Sequence, residues 1–187
     1  GIVSPLHQPQ WREVPLKAGY VGEPFQKNNV TVREVSIPIS DDPGIMPVTG
    51  WLSIPDDAAE KSLPINIYLP GANLFPYGPA PVAFQKNCIR FDANPHGYPL
   101  QNIDKDQYVK NHANKGNNYY SKAWADDFDK CYYKYVALRL VRAVDFLKTL
   151  PQWNGKDITA TGGSQGGGLS LYIAALKPEI SGISVDI

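Results

Sequence analysis

A serine flanked by glycines stands in the segment Gly162-Gly163-Ser164-Gln165-Gly166. The segment fits the pattern G-x-S-x-G, in which a nucleophilic serine sits on a tight turn between a strand and a helix. Side chains two positions before and after such a serine would collide, so the turn needs glycine at both places. The backbone N–H of Gln165 would then lie at a helix N-terminus, where it could stabilise a developing oxyanion. We therefore predict that Ser164 is a nucleophile activated by a histidine.

The neighbours of this motif are the two elements that it requires. Residues 157–161 (DITAT) predict a strand that runs into the glycines, and a helix is predicted from about Gln165 to Leu176, before Pro178. The alternative is a glycine-rich strand–helix turn that holds a phosphate. A dinucleotide-binding motif would need G-x-G-x-x-G and a Walker A motif would need a lysine, and the segment has neither.

A second segment that could serve the same chemistry begins with Pro-Gly directly after a short apolar strand predicted over Leu63–Leu69. In hydrolases with a serine on such a turn, the loop after the third strand supplies another oxyanion N–H. Ala72 or Asn73 is the predicted donor, and an ordinary β-turn is the alternative. Tyr77 would lend a hydroxyl or a stacking face to a substrate pocket, or else be a buried structural tyrosine.

The composition restricts the kind of partner. The 187 residues include 18 basic and 18 acidic side chains, so the formal net charge is zero and nothing favours nucleic acid or anionic lipid. Cys88 and Cys131 lack a metal-binding spacing; we expect both to be reduced and buried, a single bridge being the alternative. No apolar run reaches the ~18–20 residues that span a bilayer. We expect a neutral small molecule or polymer as partner, with no metal and no cofactor.

The elements that must position these residues begin with an antiparallel pair. Residues 1–29 show no period and predict an irregular lead-in. Polar and apolar residues alternate over 30–40, which predicts a strand half-buried on one face. The turn Asp41-Asp42-Pro43-Gly44 then leads into a second strand near 45–54, so the two predict a hairpin.

The rest of the chain predicts a mostly parallel sheet with flanking helices. Apolar runs and turn signals alternate as in an α/β domain, which we place over residues 30–187. The long loop over 94–118 has no period, and such loops are often functional. The predicted elements are strands over 63–69, 88–91, 157–161 and 183–187 and helices over 82–86, 133–148 and 165–176.

Four motifs together resemble the acetyl xylan esterase and cephalosporin-C deacetylase family: PGAN with FPY, FDANPHGYPL, YYKYVALRLVRAVDFLKTLPQWNGKDI and TGGSQGGG. The resemblance runs from about Val30 onward. It implies an α/β-hydrolase that removes acetyl groups from sugar esters through an acyl-enzyme, with Ser164 attacking and Gln165 N–H in the oxyanion hole. The other donor maps to Ala72–Asn73, although this loop departs from the HGY form of many members.

The acid and the histidine of a catalytic triad should follow the serine in this fold. His7, His96 and His112 all precede Ser164, and the resemblance gives His96 a structural role. Asp186 is interpreted as an ordinary strand-end residue. We therefore expect the sequence to stop before the last strands of the fold. Three explanations of such an incomplete fold are open: a truncated or proteolysed enzyme, a second polypeptide that supplies Asp and His, or a natural inactive remnant.

The expected function is that of a serine carboxylic-ester hydrolase that deacetylates acetylated xylan or related sugar esters. One alternative is a peptidase or other acyl hydrolase of the same fold. Another is a catalytically inactive module that binds carbohydrate, for which 11 tyrosines and 4 tryptophans could line a sugar surface. A sugar-polymer substrate favours a periplasmic or secreted protein.

Overall fold

The computed structural model describes residues 13–72, 78–104, 106 and 131–186. Within these ranges the chain forms a seven-stranded sheet with the order β1-β2-β3-β5-β4-β6-β7. Helix α1 (Tyr132–Leu147) and helix α2 (Gln165–Leu176) pack on it, and a 3-10 turn covers Pro81–Phe84. The strands are β1 (Gly19–Lys27), β2 (Val30–Ile37), β3 (Val48–Pro55), β4 (Leu63–Leu69), β5 (Ile89–Asn94), β6 (Trp153–Gly163) and β7 (Gly182–Asp186).

The sheet is antiparallel at one end and parallel at the other. Strands β1, β2 and β3 form an antiparallel meander, and β3 also pairs antiparallel with β5. Strand β4 lies parallel between β5 and β6, and β7 runs parallel to β6. The predicted hairpin is confirmed, because Val30 of β2 pairs with Pro55 and Ile37 pairs with Val48. The predicted mostly parallel sheet over the later strands is confirmed as well.

Strand β1 differs from the irregular lead-in predicted over 1–29. Residues 19–27 pair with β2, but the register shifts between Val21 and Phe25, and Gly22 has a φ of 64°. This irregularity destroys the period of two, so no alternation marks the strand. Asn28 and Asn29, both at positive φ, join β1 to β2 in a two-residue turn, and this pair is the signal that could have predicted the hairpin. Residues 1–12 lie outside the described ranges.

The main core lies between one face of the sheet and the two helices. The apolar stripe predicted for α1 is confirmed, since Val136, Leu140, Val144 and Leu147 are all buried. Packing of helices on a mixed sheet leaves the carboxyl ends of β4, β5, β6 and β7 as the edge at which a site can form. The core side chains include Ile65, Ile67, Leu69, Ile89, Phe91, Ile158, Ala160, Leu169 and Ile173.

Several features bear on cofactors, membranes and redox chemistry. Cys88 and Cys131 are free thiols, Cys131 being buried and Cys88 partly so. In the described part of the chain, His, Cys, Asp and Glu side chains form no group of three or more that could hold a metal ion. No described helix is long and apolar enough to cross a membrane.

Candidate active site

The predicted nucleophile stands where β6 meets α2. Strand β6 ends at Gly163, α2 begins at Gln165, and Ser164 links them with φ 52° and ψ −123°. A positive φ is costly for a residue with a β-carbon, on the order of 1–3 kcal/mol, and persists only where the surroundings impose it. The side chain of Ser164 is exposed at the carboxyl edge of the parallel strands. The predicted strand–turn–helix context of Ser164 is therefore present.

The two motif glycines pack directly against the strand next to the serine. A β-carbon on Gly162 would lie 2.5 Å from the carbonyl oxygen of Leu69 and 2.6 Å from the carbonyl carbon of Gly166. A β-carbon on Gly166 would lie on the Leu69 carbonyl group, 2.6 Å from its carbon, and 2.7 Å from the oxygen of Pro70. The expected collision across the turn is thus confirmed, and β4 imposes a further one. Glycine at both positions lets β4, β6 and α2 meet at the serine.

Backbone hydrogen bonds hold the strained serine in place. The Ser164 N–H donates to the carbonyl oxygen of Asp186 at 2.7 Å, which ties the turn to the end of β7. The Ser164 carbonyl accepts the N–H of Gly168 at 3.2 Å, the first bond of α2. Gln165 is the first residue of that helix, so its N–H lies at the positive end of the helix dipole. This is the geometry expected of an oxyanion donor.

The segment after β4 begins beside the same serine. A β-carbon on Gly71 would lie 3.6 Å from the Gly163 carbonyl oxygen and 3.8 Å from the β-carbon of Ser164. Ala72 follows it and is exposed at this edge. Asn73 and Tyr77 lie outside the described residues, so their assignment as oxyanion donor and pocket residue stays a prediction. The structure brings together Ser164, Gln165 and the start of the predicted oxyanion loop.

His96, which follows the end of β5, is built into the structure. Its ring is buried, 2% exposed, and its Nδ1 is hydrogen-bonded to the hydroxyl of Tyr132. The ring stacks on Tyr98 and on Tyr132, with centroids 6.4 Å and 5.9 Å away. Its backbone N–H donates to the side chain of Asn94 at 3.1 Å. These contacts fit the structural role that the resemblance implies for His96. His7 and His112 lie outside the described residues.

An arginine that the sequence pattern did not single out anchors this loop. Arg139 of α1 is only 5% exposed, and its Nε donates to the carbonyl of Met46 at 3.0 Å while Nη1 donates to the carbonyl of Pro95 at 3.2 Å. Gly97 fits beneath it with a φ of 81°, where a β-carbon would lie 2.8 Å from that of Met46. Burial lowers the pKa of Arg139, and the nearby Tyr132 hydroxyl opposes this. The only sequence signal was a charge inside an apolar helix.

Two carboxyl groups, those of Asp92 and Glu34, are buried in the sheet. Burial raises the pKa of Asp92 on β5, and the neighbouring Arg90, whose Nε lies 2.6 Å from the carboxylate, opposes the rise. Burial also raises the pKa of Glu34 on β2, against the backbone N–H of Leu100, which donates to Glu34 at 2.7 Å. Glu34 thereby ties the segment after His96 to the sheet.

Together the fold and the site define a class of protein. A serine at positive φ between a strand and a helix, at the carboxyl edge of a mostly parallel sheet flanked by helices, is the arrangement of the α/β-hydrolases. The family model of acetyl xylan esterase (AXE1) matches residues 44–187. The chain therefore belongs to the acetyl xylan esterase family, as the motifs of the sequence implied.

Individual relatives agree with this membership. The chain is 34% identical over 137 residues to the acetyl esterase Axe7A of Xylanibacter ruminicola, across 72% of this chain and 31% of that protein. It shares its fold with an acetyl xylan esterase from a Paenibacillus species, with a TM-score of 0.59 and 22% identity over 93% of this chain and 54% of the other. It also shares its fold with acetyl xylan esterase 1 of a Thermoanaerobacterium species, with a TM-score of 0.63 and 18% identity over 93% of this chain and 53% of the other. The chain thus spans about a third of the curated relative and about half of each solved chain.

Proposed function

We propose that the protein is a serine carboxylic-ester hydrolase that removes acetyl groups from acetylated xylan or related sugar esters. The observation that carries the proposal is Ser164, exposed and held at φ 52° between β6 and α2. Membership of the acetyl xylan esterase family supports the substrate class. The acetyl esterase and acetyl xylan esterase activities named for the relatives support it as well.

The reaction proceeds by acyl transfer to the serine. A histidine takes the proton of the Ser164 hydroxyl as its Oγ attacks the acetyl carbonyl carbon, and the carbonyl oxygen becomes an oxyanion. The N–H of Gln165 and an N–H of the loop at Ala72–Asn73 stabilise that oxyanion. The tetrahedral intermediate collapses, the sugar oxygen leaves with the proton, and acetyl-Ser164 remains. The same histidine then deprotonates a water, which attacks the acyl carbon. The bond from that carbon to Ser164 Oγ breaks, the histidine returns the proton to Oγ, and acetate leaves.

The histidine and its acid partner would come from a further polypeptide segment. His96 is the only histidine among the described residues, and it is buried against Tyr132. Strand β7 is the edge of the described sheet, where Ile183 and Val185 are 43% and 38% exposed. Leu171 and Tyr172 of α2 are each 47% exposed. An apolar sheet edge beside apolar helix residues is suited to pair with another strand and helix. The half-length coverage of the solved chains supports such a segment.

The test is labelling and acetate release by the full-length natural protein. We expect a fluorophosphonate probe to add once, at Ser164, by intact mass and peptide mapping. We also expect acetate release from acetylated xylan, and Ser164→Ala should abolish both signals. A full-length protein that takes up no probe at Ser164 and releases no acetate would refute the proposal. Release of an amine from peptide substrates instead of acetate would favour a peptidase.

We also propose that the protein acts outside the cytoplasm, in the periplasm or as a secreted enzyme, because a polymeric substrate such as xylan does not enter the cell. Cell fractionation followed by detection of the Ser164 adduct tests this. An adduct found only in the cytoplasmic fraction would contradict it.

A further inference from the structure

A side-chain hydrogen bond joins helix α1 to the residue after the nucleophile. The Nε2 of Gln165 donates to the hydroxyl oxygen of Tyr133 at 2.9 Å, across 32 residues of sequence. Both side chains are partly buried. The bond is not part of the motif G-x-S-x-G, and no backbone requirement of the turn explains it.

The hydroxyl of Tyr133 is held by its surroundings. The ring packs against the main core and meets the ring of Tyr132 edge to face, with centroids 5.8 Å apart at 88°. Tyr132 in turn binds His96, which is fixed in the buried loop after β5. Tyr133 therefore offers Gln165 an acceptor whose position is set by the core and by the neighbouring loop.

The peptide that carries the oxyanion N–H lies between the strained residue and this anchor. Its plane is set by the ψ of Ser164 and the φ of Gln165. Ser164 at φ 52° would relax toward ordinary backbone angles unless its neighbours prevent it. On the strand side of the turn, the Asp186 carbonyl oxygen restrains Ser164 by accepting its N–H. On the helix side, the Gln165–Tyr133 bond restrains the side chain of Gln165.

We propose that Tyr133 is a positioning residue that fixes Gln165, and with it the N–H that binds the oxyanion. This rests on the proposed esterase function of Ser164. Such a residue contacts neither substrate nor reacting atoms. It keeps the donor aimed at the place where charge develops, so its loss acts on the transition state more than on substrate binding.

The test is a double-mutant cycle in the full-length natural protein, with Tyr133→Phe, Gln165→Ala and the double variant. Tyr20→Phe is the matched control, since Tyr20 is 58% exposed on β1 and loses only a hydroxyl. The readouts are kcat and KM for a soluble acetyl ester, the rate of fluorophosphonate addition at Ser164, and the thermal midpoint. We expect Tyr133→Phe to lower kcat and the labelling rate roughly twofold to tenfold, the range of a neutral hydrogen bond, with KM unchanged. Gln165→Ala should do the same, and the double variant should lose no more than Gln165→Ala alone.

Three results would overturn the inference. Tyr133→Phe could react as fast as the wild type, or lower only the thermal midpoint, which would leave the tyrosine a structural role. The losses of the two single variants could multiply in the double variant, which would show that the side chains act independently. A wild-type protein that neither takes up the probe nor releases acetate would refute the proposed function, and the inference with it. A reactive wild type with an equally reactive Tyr133→Phe would refute the inference alone.

Discussion

Replacement by alanine should have opposite effects at two glycines of helix α2 that lie two positions apart. Gly166 and Gly168 both lie in the first turn of α2. A β-carbon at Gly166 would lie within 2.6–2.7 Å of backbone atoms of Leu69 and Pro70, whereas a β-carbon at Gly168 would meet no heavy atom within 4 Å. Gly166→Ala should therefore disturb the site, and Gly168→Ala should not.

The magnitudes follow from what each β-carbon meets. Overpacking costs about 1–3 kcal/mol where side chains can move. We place Gly166→Ala at the upper end because its neighbours are backbone atoms of Leu69, the last residue of the interior strand β4, and of Pro70. Alanine in a helix gains about 0.5–1 kcal/mol over glycine. The net loss for Gly166→Ala is about 2–2.5 kcal/mol, or about 4–10 °C in thermal midpoint for a domain of 150–250 residues. Gly168→Ala has only the gain in helix propensity, which should raise the thermal midpoint by about 1–4 °C.

The assay compares both variants with the wild type by thermal unfolding and by the rate of fluorophosphonate addition to Ser164, using the full-length natural protein. Gly166→Ala should lower both, because the added β-carbon would push the turn that carries Ser164 away from Leu69. Gly168→Ala should raise the midpoint and leave the labelling rate unchanged. Equal shifts in the two variants would refute the packing argument. A labelling rate unaffected by Gly166→Ala would show that Ser164 stays reactive when its turn is displaced from Leu69.

Two further predictions concern buried charges. Burial raises the pKa of Glu34 above its ordinary value, so between that value and the raised one the folded state keeps a proton that the unfolded chain has lost, and stability falls as the pH rises. Glu34→Gln keeps an oxygen for the Leu100 N–H and should remove that slope in urea titrations that begin at the ordinary pKa of a glutamate and go upward in pH; an unchanged slope would contradict it. Arg139→Met leaves the carbonyls of Met46 and Pro95 without their donor and should cost about 2–4 kcal/mol in denaturant unfolding. Arg33→Met on the exposed face of β2 should cost about 0.5 kcal/mol or less, and equal losses would rule out the anchoring role.

Elements in which polar and apolar residues repeat with a short period could be predicted from the sequence. The alternation over 30–40 predicts a strand because each residue faces the opposite side from the next, and β2 bears it out. The period of 3.6 predicts α1 for the equivalent reason. Strand β1 could not be predicted in this way, because its shift of register near Gly22 interrupts the period. Only the pair Asn28 and Asn29 indicates it, through the turn type that both residues favour.

In the candidate site too, features set by neighbours in sequence could be predicted, and features set by distant residues could not. Ser164 and its glycines could be found because the collision they avoid is local: Gly162 and Gly166 face each other across the turn. Tyr133 and Arg139 could not, because their partners stand 32 residues away in Gln165 and 93 and 44 residues away in Met46 and Pro95. The periodicity of helix α1 shows only that Tyr133 joins its apolar face and that Arg139 interrupts an apolar sequence. It does not identify the partner of either side chain.

The strained serine connects these two kinds of information. A motif can specify that Ser164 is able to adopt a positive φ, because glycines remove the clashes that would forbid it. The motif cannot keep the serine there, since removing a clash supplies no force. The restraint comes from partners outside the motif, the Asp186 carbonyl at the end of β7 and the Tyr133 hydroxyl in α1. In the isolated segment, the turn should therefore allow a positive φ at Ser164 without holding it. The turn should be rigid only when β7 and α1 pack beside it. Local sequence thus locates the nucleophile, while its reactivity depends on contacts that the fold supplies.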